Sequence, residues 1–203
     1  MAKQGLLVVL SGPSGCGKTY TMAFLARQLS MRCGSWLGSP TVIMIVDRDD
    51  LQKQTFKKVF GKCQEFLGLG EVKRVKSRKE LKEELSSRES GGFYICTIQK
   101  FCDRKDKDGK PDKIGLLSDR NNIICFSDEA HRTQLENAKK IKFSKDENEN
   151  MKAVLSKPYA QVLREAFPKA IFVGFTGTPI DETYATFGSK IDQYTMAEAV
   201  ADG

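Results

Sequence analysis

Gly12-Pro13-Ser14-Gly15-Cys16-Gly17-Lys18-Thr19 fits the spacing G-x-x-x-x-G-K-[ST], and Tyr20 follows it directly. Residues of these types cradle phosphate. Glycines let the chain wrap close to the oxygens, and backbone N–H groups at a helix start face the anion. In such a loop Lys18 reaches the β- and γ-phosphates of ATP, and the Thr19 hydroxyl ligates Mg2+. A second cluster, Ile123-Ile124-Cys125-Phe126-Ser127-Asp128-Glu129-Ala130-His131, ends an apolar run in two adjacent carboxylates. Asp128 is suited to hold Mg2+ through water, and Glu129 to orient and polarise an attacking water. Lys18, Asp128 and Glu129 are therefore the catalytic candidates. Each cluster also has a plainer reading: a Gly-rich turn without a ligand, and an acidic strand-to-turn pair. A third cluster, Phe175-Thr176-Gly177-Thr178-Pro179, taken alone is a Gly-Pro turn.

These residues need elements to hold them. Short apolar runs at Leu6–Leu10, Val42–Val46, Phe93–Thr97, Asn122–Phe126 and Ala170–Phe175 read as strands. Amphipathic stretches at Lys18–Met31, Leu51–Leu67, Arg78–Ser87 and Tyr159–Ala166 read as helices between them. Continuous apolar strands alternating with helices predict an α/β fold, a parallel sheet with helices on both faces. The strongly charged segments 103–113 and 139–152 read as loops, the second as a mobile insertion. No repeat or boundary interrupts residues 1–190, which predicts one domain.

Composition narrows the class. With 33 Lys+Arg against 26 Asp+Glu, the chain of 203 residues carries a formal charge of +7. Residues 51–113 hold 17 basic and 10 acidic side chains, so the whole excess lies there and the remainder is neutral. Such a stretch is either a solvated helical face or an electrostatic footprint for phosphate backbone. The longest apolar runs are too short to span a bilayer. The first run breaks at once into Gly-Pro-Ser-Gly without an export cleavage site, which predicts a cytoplasmic protein. Six cysteines lie apart without a C-x-x-C pair, and His131 is the one histidine. A zinc ribbon lacks its paired thiolates, a His-based metal site and a histidine-rich catalytic network are excluded, and a disulfide framework is not expected in a non-exported chain of this size.

The order P-loop, Asp128-Glu129-Ala130-His131, Thr176-Gly177-Thr178-Pro179 resembles the first RecA-like domain of superfamily 2 helicases and translocases. The stretches TYTMAFLARQL, VDRDDLQKQ, TIQKF, SDEAHRTQ, VGFTGTPI and IDQYTMAEAVADG narrow the resemblance. Together they are similar to the motor of the R subunit of type I restriction–modification enzymes. That resemblance implies a RecA-like P-loop NTPase that uses ATP and Mg2+ to pump double-stranded DNA. It implies partnership with modification and specificity subunits. His131, Thr176, Gly177 and Thr178 would couple nucleotide state to DNA, while Asp47, Arg48, Gln52, Thr97, Gln99 and Lys100 would lie near the DNA backbone. It also implies a nuclease domain upstream and, after a connection starting at 191–203, a second RecA-like domain bearing an arginine finger. These residues are then expected to be an excised part, its hydrolysis slowed by roughly three to five orders of magnitude without that arginine.

Other readings are another superfamily 2 motor, a P-loop small-molecule kinase, and a non-enzymatic nucleotide-dependent binding module. A kinase needs an Arg-rich lid and has no use for D-E-A-H followed by T-G-T-P. Reversing several lysines in 51–113 is expected to weaken DNA binding and flatten its salt dependence. An unchanged salt slope would return that segment to a solvated face.

Overall fold

Each central strand is apolar at most positions, and it is covered on both faces. Strand β2 (Thr41–Val46) is buried at all six residues and β4 (Phe93–Thr97) at all five. The computed structural model describes residues 10–11, 17–31, 34–47, 72–102, 104–105, 111–130, 141–145, 151–155, 159–178 and 181–202. Within them β1 (Leu10–Ser11), β2, β3 (Val72–Arg74), β4, β7 (Ile123–Asp128), β10 (Ile171–Phe175) and β11 (Asp192–Gln193) form one sheet. Its order is β11-β1-β10-β7-β2-β4-β3, and every pairing is parallel.

Alternate strand residues feed two cores. One contains Ile43, Ile45, Tyr94, Cys96, Ile123, Cys125 and Phe172; the other contains Val42, Met44, Phe93, Ile95, Ile124, Phe126 and Phe175. Helix α1 (Lys18–Met31) covers the second through Met22, Ala23 and Ala26, the two alanines allowing close approach. Helix α3 (Arg78–Ser86) and α4 (Tyr159–Ala166) cover the first. The partition follows from handedness. The step β1→β2 crosses the sheet one way, while β3→β4 and β7→β10 cross it the other way, so right-handed crossovers place their helices on opposite faces. Short helices α2 (Gly34–Leu37), α5 (Asp181–Phe187) and α6 (Met196–Asp202) complete the described elements. Burial pushes the Cys96 thiol up to about 12 and raises that of Cys125, so both behave as small apolar side chains.

Helices Lys18–Met31 and Tyr159–Ala166 match their predicted bounds, as does β4. The predicted helix at 51–67 and most of the first predicted strand lie outside the described residues. Two expectations are corrected. Segment 139–152 contributes to a hairpin, with β8 (Ile141–Lys145) antiparallel to β9 (Met151–Leu155). Its charge count hid a period-two pattern at Ile141, Phe143, Ala153 and Leu155. Segment 103–113 also contains a short antiparallel ladder, β5 (Arg104–Lys105) with β6 (Pro111–Asp112). Tertiary contacts tie it down: Asp112 pairs with Arg78 at 2.9 Å and Lys82 at 3.0 Å.

The N-terminal edge of the sheet is pinned by Arg120. Its guanidinium donates to Asn122 Oδ1 (2.9 Å), the Arg88 carbonyl (2.8 Å) and Thr41 Oγ1 (2.8 Å). Thr41 in turn donates from Oγ1 to the Gly91 carbonyl at 2.6 Å. This network joins the entries to β2, β4 and β7. Arg120→Ala is expected to cost about 2 kcal/mol, the net worth of a few such bonds, read as a lower urea midpoint. An unchanged midpoint would contradict the pinning role.

Candidate active site

Because the strands are parallel, their C-terminal ends share one edge, where ligands of such sheets bind. Every predicted site residue within the described set lies along it. The register is tight: Leu10 lies level with Phe175, Phe175 with Asp128, and Val46 with Thr97. Strand β10 separates β1 from β7. Two strand spacings, roughly 10 Å, therefore lie between the turn into α1 and the carboxylates that end β7.

On one side of that gap, Gly17 has φ +88, a left-handed conformation that glycine adopts without a Cβ penalty. Among the described residues no atom lies within 4 Å of where a Cβ would sit, so the requirement there is conformational. Helix α1 starts at Lys18, and its first turn holds no acidic residue. Its leading N–H groups keep their positive end. Thr21 closes the first turn, its N–H donating to the Gly17 carbonyl at 3.0 Å. Lys18 and Thr19 are half-buried and Tyr20 is exposed. Gly12, Pro13, Ser14, Gly15 and Cys16 lie outside the described residues.

On the other side stand Asp128 and Glu129. Burial, reinforced by the Glu129 charge and by that of Asp47, pushes the Asp128 carboxyl up to about 6. The Glu129 N–H, donating to Asp128 Oδ1 at 3.0 Å, and the Lys18 ammonium both act to lower it. Lys18, Asp47, Asp128 and Glu129 thus share one electrostatic environment. Glu129 itself has φ +50, a conformation costly for a residue with a side chain. Its neighbours hold it there: Ala130 N–H donates to the Phe175 carbonyl at 2.9 Å. That bond ties the acidic turn to the end of β10, where Thr176 is fully buried and its Oγ1 accepts the Thr178 N–H at 3.2 Å. Gly177 lies between them, half-buried. The structure therefore joins the second and third sequence clusters directly, although His131 lies outside the described residues.

Farther along the edge the remaining candidates divide. Asp47 and Thr97 are buried. The Asp47 carbonyl accepts Gln99 Nε2 at 2.6 Å, and Thr97 Oγ1 accepts Lys100 Nζ at 2.9 Å. Gln99 is exposed and Lys100 half-buried. Surface contact therefore falls to Gln99 and Lys100, with Asp47 and Thr97 as their supports; Arg48 and Gln52 are outside the described set. Sequence reasoning missed Arg78, which looks like one more charge in RKELKEELS yet is buried.

Among the described residues no group of three or more His, Cys, Asp or Glu side chains forms a metal cage. A cation here must share its ligands with bound phosphates, the usual manner of Mg2+. The residues fit one: the half-buried Asp128 carboxyl, beside Glu129 and within the field of Asp47, is a group whose ionisation a cation would favour. No described helix is long and apolar enough to cross a membrane.

Comparison with known proteins agrees with this geometry. The SWI2/SNF2 ATPase family model matches residues 9–203. The type I restriction enzyme HindI endonuclease subunit of Haemophilus influenzae is 35% identical over 193 residues, 93% of this chain and 17% of that protein. The MjaIXP endonuclease subunit of Methanocaldococcus jannaschii is 34% identical over 193 residues, 93% of this chain and 15% of that protein. The chain thus spans about a sixth of the length of these relatives. The Pyrococcus furiosus Hef helicase domain superposes with TM-score 0.52 at 18% identity, covering 95% of this chain and 35% of that one, which shows a RecA-like fold.

The raised Asp128 pKa sets a pH dependence. Without a cation, the folded state is favoured by the neutral carboxyl. Its contribution is full below about pH 4, the ordinary aspartate value, and is lost as pH rises through about 6. The loss is at most about 3 kcal/mol. Asp128→Asn is expected to raise the metal-free melting temperature by several degrees at pH 8 and hardly at all at pH 4. Equal gains at both pH values, or none, would contradict the burial argument.

Proposed function

Since the chain belongs to the SWI2/SNF2 ATPase family, we propose that residues 1–190 are the first RecA-like motor domain of a duplex-DNA translocase of the type I restriction kind. Residues 191–203 begin its connection to a second such domain. The observation that most supports ATP turnover is the facing of the Gly17-Lys18-Thr19 helix start and the Asp128-Glu129 turn across a single intervening strand. The restriction context rests on the similarity to endonuclease subunits over 93% of this chain.

In this reading the α1 N-terminus and the loop from Gly12 to Gly17 bind the phosphates through backbone N–H groups. Lys18 binds the β- and γ-phosphate oxygens as a point charge. Thr19 and Asp128 hold Mg2+, which neutralises charge on those oxygens when bound. Glu129 orients the attacking water and draws off its proton. Thr176, Gly177, Thr178 and His131 sense that state. Gln99 and Lys100, with Arg48 and Gln52, face the DNA backbone, contacts that carry little sequence information and so suit movement along any sequence. Modification and specificity subunits are its expected partners, and the cytoplasm its expected location.

The test is ATP binding and hydrolysis by wild type and two variants, with and without duplex DNA. Lys18→Ala is expected to weaken Mg-ATP binding by roughly 10–100-fold, the worth of a charged contact. Glu129→Gln should bind Mg-ATP as wild type does but hydrolyse it roughly 10²–10⁴-fold more slowly. Normal turnover in the Glu129 variant, or undiminished binding in the Lys18 variant, would remove these residues from their roles.

A further inference from the structure

Arg78 has a buried side chain, 2% exposed, at the first position of α3. No part of the site described above contains it. Its guanidinium nevertheless ties two separate stretches of chain to α3. Nη1 donates to the Lys100 carbonyl at 3.2 Å and to the Cys102 carbonyl. Nη2 donates to the Asp112 carbonyl at 2.7 Å, while Nε forms an ion pair with Asp112 Oδ2 at 2.9 Å. Lys82, one turn further along α3, holds the other oxygen of the same carboxylate at 3.0 Å. A planar fork with several donors can meet this spread of acceptors at once, and an ammonium cannot.

The stretch that Arg78 holds is the turn after β4, Ile98–Lys100 with Phe101 and Cys102. That turn carries Gln99 and Lys100. From the opposite side, Gln99 Nε2 reaches the Asp47 carbonyl and Lys100 Nζ reaches Thr97 Oγ1. Phe101 anchors the turn from beneath: it is fully buried and packs edge-on against Phe167 at 6.1 Å between centroids. The turn's place on the sheet edge is thus fixed by the Arg78 fork, an aromatic anchor, and the contacts of its own two polar side chains.

We propose that Arg78 is a positioning residue for the DNA-facing turn: it fixes where Gln99 and Lys100 meet the phosphate backbone without touching the DNA itself. This rests on the DNA reading given above. It makes Asp112, at the end of the short β5–β6 ladder, part of the same clasp, since its carbonyl accepts from Nη2 and its carboxylate pairs with the guanidinium charge.

A positioning residue and a phosphate-binding residue differ in salt dependence. Removing one phosphate-binding cation lowers the slope of log affinity against log salt by about one, whereas a misplaced turn lowers affinity with the slope nearly kept. The test uses the full chain as wild type, Arg78→Gln, Asp112→Asn and Lys100→Ala, titrated with a duplex oligonucleotide over a range of salt. Amide hydrogen exchange is followed in parallel. Arg78→Gln, which removes the charge, is expected to weaken DNA binding about tenfold with a nearly unchanged slope. It should speed exchange at the Phe101 amide, which donates to the Ile98 carbonyl, at least tenfold while β2 and β7 amides stay slow. Asp112→Asn should shift both readings the same way by less, and Lys100→Ala should lower the slope by about one. A slope lowered by one in Arg78→Gln would make Arg78 bind the DNA directly and overturn the proposal. Wild-type exchange and affinity in both clasp variants would overturn it too, as would acceleration spread evenly over the sheet. If wild type binds no duplex, the DNA reading and this role fall together, while local exchange at Phe101 still reports whether the clasp holds the turn.

Discussion

The spacing between β1 and β7 is the constraint on which the rest of the molecule depends. Hydrogen-bonded strands cannot approach more closely or drift apart, so inserting β10 between them fixes a gap of two strand widths at the sheet's C-terminal edge. One wall of the gap is a helix start with a left-handed glycine and no acidic residue in its first turn. The other is a carboxylate pair whose second member sits in a left-handed conformation. Neither wall would be useful without the other. The width between them is set by β10, and the bond from Ala130 to the Phe175 carbonyl makes β10 part of the acidic turn as well as a spacer.

The two cores follow from the same arrangement. For helices to cover both faces, the chain must cross the sheet in both directions, which is why, among the described residues, α1 packs against the core of Met44, Phe126 and Phe175 while α3 and α4 share the opposite face. The Phe126–Phe175 edge-to-face pair, with centroids 5.5 Å apart, stands on neighbouring strands beneath the gap. Packing there supports the two strands that end in Asp128 and Thr176. At the opposite edge, Arg120 gathers the strand entries, so charged side chains fix both ends of the sheet by binding backbone carbonyls.

Much of this was legible in the sequence. The strand runs are apolar at consecutive positions rather than alternate ones, which a two-sided core explains, and the P-loop and the acidic pair each follow such a run. What escaped was whatever depends on tertiary partners. β3 is three residues long and carries Lys73 and Arg74, so composition alone placed it in a basic stretch. The β8–β9 pairing was hidden because the residues between the two strands in sequence are acidic and the strands carry lysines. Asp47 and Thr97 were grouped with Gln99 and Lys100 by position in the chain, and burial separates them. Arg78 could not have been singled out, because its importance lies in three carbonyls and a carboxylate distant in sequence.

The most direct test of the account is a crystal structure of the chain with Mn2+ in place of Mg2+ and a non-hydrolysable ATP analogue, with the ion located by its anomalous signal. The account predicts the phosphates at the start of α1 and the ion between Thr19 and Asp128, above the end of β10. Nucleotide bound at the opposite edge of the sheet, or an ion distant from Asp128, would contradict it.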